Sequence, residues 1–143
     1  MKPIVPLFLA LILAPGALAQ KPVTPPSGSP LRKAILDGLR PAIEKDLKLR
    51  VEFVVKTLNV LGDWAFLDAS VQKKGGGKID FTRTRYAEAI RAEAFGGPTT
   101  FALMRRRGKS WKPVDWVVGP SDVTYAGWAK QYDAPRRLFP YND

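Results

Sequence analysis

Residues 51–71, VEFVVKTLNVLGDWAFLDASV, decide the fold of this chain. Val51 to Val60 is rich in Val, Phe and Leu, and Trp64 to Val71 returns with the same character. Between them Gly62-Asp63 places glycine first in a two-residue turn, as a type II′ hairpin turn requires. The turn predicts a register in which Leu58 faces Leu67 and Val54 faces Val71. One face then carries Val54, Leu58, Val60, Ala65, Leu67, Ala69 and Val71. The other carries Phe53, Val55, Trp64 and Phe66 together with Thr57 and Asp68. Both faces are partly apolar, so the pattern leaves open which one a helix covers.

A second hairpin repeats the device. Thr99 to Arg107 turns at Gly108-Lys109 and returns from Ser110 to Val118. Carried through without interruption, its register pairs Phe101 with Trp116, Leu103 with Val114 and Arg105 with Lys112, and sets Arg106 opposite Trp111. Before the hairpins, Ser29 and Pro30 make a helix start, a hydroxyl cap followed by a residue pre-set for the first turn. Ile35, Leu39 and Ile43 recur every four residues, which predicts an amphipathic helix to about Lys45, weakened at Gly38 and kinked or broken near Arg40 by Pro41. Lys73-Lys74-Gly75-Gly76-Gly77-Lys78 reads as a flexible basic loop, Arg85 to Ala94 as a short helix, and Asp122 to Tyr132 as a helix with Tyr125, Trp128 and Tyr132 on one side. Leu138, Phe139 and Pro140 form an apolar tail expected to fold back. The order is helix, hairpin, excursion, hairpin, helix. It predicts an α+β domain over residues 31–143: a four-stranded antiparallel sheet of two hairpins holding the N-terminal helix in the manner of a cystatin-like roll.

The chain begins with a different kind of segment. Lys2, the short apolar run Ile4–Leu13, the break at Pro15-Gly16 and small residues at Ala17 and Ala19 read as a secretory signal cleaved before Gln20. The run is too short for a hydrocarbon core that needs about 20 residues. Removal of these nineteen residues leaves 124, enough for one core, and loss of Lys2 takes the net charge from +10 to +9. Gln20 to Pro30, QKPVTPPSGSP, reads as a disordered or extended lead. The expected location is the periplasm or the outside of the cell.

Composition removes whole classes of chemistry. The chain has no Cys and no His. A protein exported without disulfides is held by packing alone. Triads built on imidazole, His or Cys metal sites, and acid–base catalysis by imidazole near neutral pH are all excluded. Nothing in the sequence calls for a cofactor or a metal, and a metal site would have to be built from oxygen ligands. Among carboxylates, Asp63 is a turn residue and Asp122 is expected in the first turn of a helix. Asp68 and Asp115 are mid-strand and are the candidate catalytic pair, provided they stand roughly 5–9.5 Å apart in a cleft.

The stronger signal is charge. Arg105, Arg106, Arg107 and Lys109 gather at the tip of the second hairpin, with Lys112 opposite Arg105. Like charges facing across a ladder repel, and an anion between them relieves the repulsion. Trp111 is the aromatic expected to be exposed there, in cation–π contact with Arg106. Lys73, Lys74 and Lys78 form a second cluster, expected at the opposite end of the sheet. Together these predict a binding module rather than an enzyme. Its partners would be anionic envelope polymers, lipid headgroups or another protein, since nucleic acid is an unexpected partner outside the cytoplasm. Two alternatives stand beside it: a ligand pocket under the curved sheet, and a carboxylate hydrolase acting on envelope polymers.

Four blocks, RKAILDGLR at 32–40, GDWAFL at 62–67, WKPVDWVVGPSDVTYAGW at 111–128 and PRRLFP at 135–140, resemble a group of small exported bacterial proteins of uncharacterised function. The resemblance implies export and one small domain. It implies no active site.

Overall fold

The structure, a computed structural model, describes residues 20–141. The segment read as a secretory signal, residues 1–19, therefore lies outside the described residues, as do the last two residues. The elements in chain order are helix α1 (Pro30–Leu47), strands β1 (Val51–Leu61) and β2 (Trp64–Lys73), helix α2 (Ala87–Arg91), strands β3 (Thr99–Arg107) and β4 (Ser110–Val118), and helix α3 (Trp128–Tyr132). The four strands form one antiparallel meander in the order β1-β2-β3-β4, so the α+β class and the two hairpins stand as expected.

Local chemistry accounts for α1. The Ser29 hydroxyl accepts from the Arg32 N–H at 3.3 Å, Pro30 occupies the first turn, and Ile35, Leu39, Ile43 and Leu47 form the buried stripe. Pro41 does not break the helix, which continues to Leu47. Lys48 ends it in a left-handed conformation (φ 59°), its N–H bonded to the Glu44 carbonyl at 2.8 Å. The stripe packs against β4 and reaches β1. Those are the two outer strands of the meander, so the sheet curls around the helix as a roll.

Both hairpin turns place glycine at positive φ, Gly62 at 57° and Gly108 at 62°, while the residue after each stays at negative φ. That is the type II′ pattern. The pairing begins as expected, with Leu58 opposite Leu67 and Arg105 opposite Lys112. In both hairpins it then shifts by one residue. A bulge between Val55 and Thr57 puts Val54 opposite Ser70 and Phe53 opposite Val71. Because side chains alternate with a period of two, the extra residue exchanges the faces. Phe53 and Val55 join Leu58 and Val60 toward α1, and Val54 is left 53% exposed. In the second hairpin Met104 pairs with Pro113 and Leu103 with Asp115, so Phe101 faces Val117 rather than Trp116, and Val114 is the extra residue. Pro113 has no N–H to donate, which fits the break in the ladder at this point of an outer strand.

Both faces of the sheet are covered. Toward α1 lie Leu58, Val60, Ala65, Leu67, Ala69, Val71, Ala102, Met104, Trp111 and Val118, with Ile79 and Phe81 from the excursion closing one side. On the opposite face Phe66, Phe101 and Leu103 meet Trp128, Ala134, Leu138 and Phe139 of the C-terminal segment. The Tyr125 ring stands edge-on to Phe66 and Phe101 at 4.7 and 4.8 Å. The apolar tail thus folds back as expected. The helix expected from Asp122 is shorter than its pattern: a 3₁₀ turn at Thr124–Gly127 precedes α3, and Asp122 only accepts from the Thr124 hydroxyl at 3.3 Å. The middle helix likewise spans only Ala87–Arg91, with Glu93 turning left-handed (φ 55°) just after it.

The lead after Gln20 takes the extended alternative along part of its length. Val23 and Val60 exchange two backbone hydrogen bonds of 2.8 Å, and Pro25 is buried. Val60 lies on the free edge of β1, and an extended segment satisfies it there.

Candidate functional site

The hairpin tip is organised by partners outside its own strands. The Arg105 guanidinium lies over the Trp64 ring, 4.6 Å from its centroid. This cation–π contact joins β3 to β2 and replaces the one expected between Arg106 and Trp111. Arg106 instead turns to the first hairpin. Its Nε and NH2 donate to Asp63 Oδ1 at 2.9 and 2.7 Å, and its backbone N–H donates to the Asp63 carbonyl at 2.7 Å. The two turns are therefore tied side by side. Arg107, Lys109 and Lys112 are exposed and have no ion-pair partner among the described residues.

Trp111 does not belong to this surface. It is only 5% exposed and packs in the core under α1. Gly38 explains how the helix comes so close. A methyl carbon there would stand 2.9 Å from the Trp111 carbonyl carbon and nearer still to its oxygen, so only glycine permits this approach of helix backbone to strand backbone. Trp111 was expected to be exposed because it follows a turn, but β4 is the strand on which α1 lies. Trp116 also packs toward α1 and Trp128 is buried beneath the C-terminal segment.

The fold adds two cations that pattern reading passed over. Asn59 Nδ2 donates to the Leu138 carbonyl at 2.9 Å, which fixes the 3₁₀ turn Arg136–Leu138 beside the turn end of β1. Arg136 stacks over Tyr141 at 4.7 Å, and Arg137 donates to the Gln20 carbonyl at 3.4 Å. The Arg-Arg pair in PRRLFP was visible in the sequence, but its neighbourhood was not. One end of the sheet thus presents Arg105, Arg106, Arg107, Lys109, Lys112, Arg136 and Arg137, with Asp63 held by Arg106.

The second cluster lies elsewhere. Trp64 pairs with Arg105 and β2 then runs nine residues to Lys73, so Lys73, Lys74 and Lys78 are at the opposite end, roughly 30 Å away. The two clusters are separate, as expected.

Asp68 on β2 is paired across to Phe101, and Asp115 on β4 is paired across to Leu103, with β3 between them. Two strand spacings and two residues of offset separate their backbones by roughly 12 Å. Asp115 is occupied: Tyr132 Oη donates to it at 2.5 Å and the Trp116 N–H at 2.8 Å, and the first of these bonds raises the Tyr132 phenol above its ordinary value. Asp68 is mostly buried beside Lys56, whose Nζ is 3.9 Å away. Its carboxyl is raised by burial, with Lys56 opposing.

The space between α1 and the sheet is occupied by Ile35, Leu39, Ile43, Met104 and Trp111, all buried. The clefts of the surface open at its rim. One of about 650 Å³ lies where α1 ends and β1 begins. No helix among the described residues is long and apolar enough to cross a membrane. Comparison with known protein families, with curated proteins and with solved structures finds no match for this chain.

Proposed function

We propose that this protein is an exported, non-enzymatic binding module that recognises anionic components of the cell envelope through the basic end of its sheet. The observation that carries the reading is the placement of two chain-distant basic segments, Arg105–Lys112 and Arg136-Arg137, at the same end of the sheet. A frayed hairpin tip would have no need of the clamp from Asp63 or the shelf from Trp64, which hold two guanidinium groups in place while leaving them partly accessible. Fixed guanidinium forks suit phosphate, sulfate and carboxylate groups and lose less freedom on binding than mobile lysines do. The charge of the chain favours the same class of partner, and the signal-like segment at residues 1–19 directs it to the envelope.

The test is retention on immobilised heparin, and on vesicles rich in anionic lipid, as salt is raised. The triple variant Arg107→Ala, Lys109→Ala, Lys112→Ala removes three exposed cations without touching the Asp63 clamp. It should elute at lower salt, with a weaker dependence of binding on salt. Unchanged retention, or equal retention of the native protein by an uncharged polymer, defeats the proposal.

A further inference from the structure

We propose that the cleft at the far end of the sheet is a second, separate site, and that it takes a compact phosphate-bearing anion. Three segments remote in sequence supply its cations: Lys48 at the cap of α1, Lys73 at the end of β2, and Arg83 and Arg85 from the excursion. Two carboxylates share the cleft, and both are already engaged. Asp46, whose side chain is 10% exposed, is ion-paired through Oδ1 to Arg85 Nε and receives the Tyr86 hydroxyl on Oδ2 at 2.6 Å. Asp80 Oδ1 accepts from the Thr82 N–H at 3.1 Å and the Thr82 hydroxyl at 2.5 Å, capping the 3₁₀ turn Phe81–Arg83.

No carboxylate lies within ion-pair distance of Lys48, Lys73 or Arg83 among the described residues, although the Asp80 charge still attracts Arg83 and Lys73 at longer range, and the site is concave, about 650 Å³. Four cations face two carboxylates. The carbonyl end of α1 adds only about half a negative charge, so the balance remains positive. Lys74 and Lys78 on the adjoining loop add to the same field. Lys48 carries a further sign. It holds a left-handed backbone (φ 59°) at a cap where glycine is the unstrained residue. Arg83 offers the planar fork and the two lysines offer point charges, a combination suited to a phosphate group with its oxygens spread over three directions. The site is independent of the hairpin end, from which the length of β2 separates it.

The probes are inorganic phosphate and glycerol phosphate, titrated into isotopically labelled protein lacking residues 1–19 and followed by NMR. The expected result is saturable shifts at Lys48, Lys73, Arg83 and Arg85. The double variant Lys73→Gln, Arg83→Gln should weaken binding by about tenfold, while the hairpin-end triple variant should leave it unchanged. Phosphatidylglycerol vesicles form the second arm. Broadening of the same resonances that the double variant abolishes identifies the source as a lipid headgroup, and response to the soluble probes alone identifies a free phosphate compound. Failure to saturate at millimolar phosphate, shifts scattered over the surface, or undiminished binding by the folded double variant overturns the proposal. Heparin retention by the hairpin end would survive any of these outcomes.

Discussion

Replacing Gly38 by Ala sets two effects of opposite sign against each other. In a helix interior alanine is favoured over glycine by about 1 kcal/mol, so on propensity alone the variant gains stability. The added methyl carbon, however, would lie 2.9 Å from the Trp111 carbonyl carbon and closer to its oxygen. The obstacle is β4 backbone, held in the ladder at this point by the pairing of Trp111 with Arg106 and on either side by Ser110 with Arg107 and Lys112 with Arg105. It cannot swing aside as a side chain would. Restoring ordinary van der Waals separation requires α1 and β4 to part by about 1 Å at this point. Such a gap forfeits a quarter to a half of the dispersion energy of the atoms lining it. Those atoms belong to Ile35, Leu39, Trp111 and Met104, which are buried on this side of the sheet. Overpacking of this kind costs about 1–3 kcal/mol, and against a backbone the upper part of that range applies. The expected net loss is therefore about 2 kcal/mol, read as a lower urea midpoint with an unchanged slope. Ala34→Gly, at an exposed position one turn earlier in the same helix, is the control and should lose about 1 kcal/mol through propensity alone. A Gly38→Ala variant as stable as the native protein, or more so, would refute the close approach on which the packing of α1 rests.

Trp111→Ala should cost about 3–5 kcal/mol by denaturant unfolding, and iodide should fail to quench the Trp111 fluorescence in a variant that retains it as sole tryptophan; ready quenching would place the ring at the surface. Asp68 sets a pH dependence. Its carboxyl is raised on folding by burial, so its contribution favours the fold below the ordinary value of 3.8 and is lost as pH rises through the folded-state value. Asp68→Asn should accordingly raise the melting temperature at neutral pH, with the gain fading toward about pH 3; a gain that grew on acidification would contradict the assignment.

The chemistry of adjacent residues was enough to read the elements of this fold. Ser29 and Pro30 start α1, and the four-residue spacing of Ile35, Leu39 and Ile43 gives it one face. Gly62 and Gly108 close two hairpins with the expected turn. Each of these depends on dihedral preferences and alternation within a few residues. The same reasoning located the charged clusters along the chain and removed imidazole and thiol chemistry outright. It failed where two segments far apart must agree. The bulges near Lys56 and Val114 occur partway along ladders that start in register at the turns, so no turn residue announces them. Each reverses the face of every residue beyond it.

The candidate sites follow that division. Arg105, Arg106, Arg107 and Lys109 are legible as a cluster, but their state depends on Trp64 and Asp63 of another hairpin, and Arg136-Arg137 joins them only because Asn59 holds the tail. Lys73 could be read as part of a basic loop; its place beside Lys48 and Arg83 could not, since three unrelated segments meet there. Residue order alone thus determined the helix, the two hairpins, the overall charge and the absent chemistries, because short-range sterics and composition suffice for each. Only the tertiary structure decided that Trp111 is core, that both sheet faces are covered, and that Arg105 and Arg106 are held by Trp64 and Asp63. Burial and pairing are set by whatever packs on a residue from elsewhere in the chain.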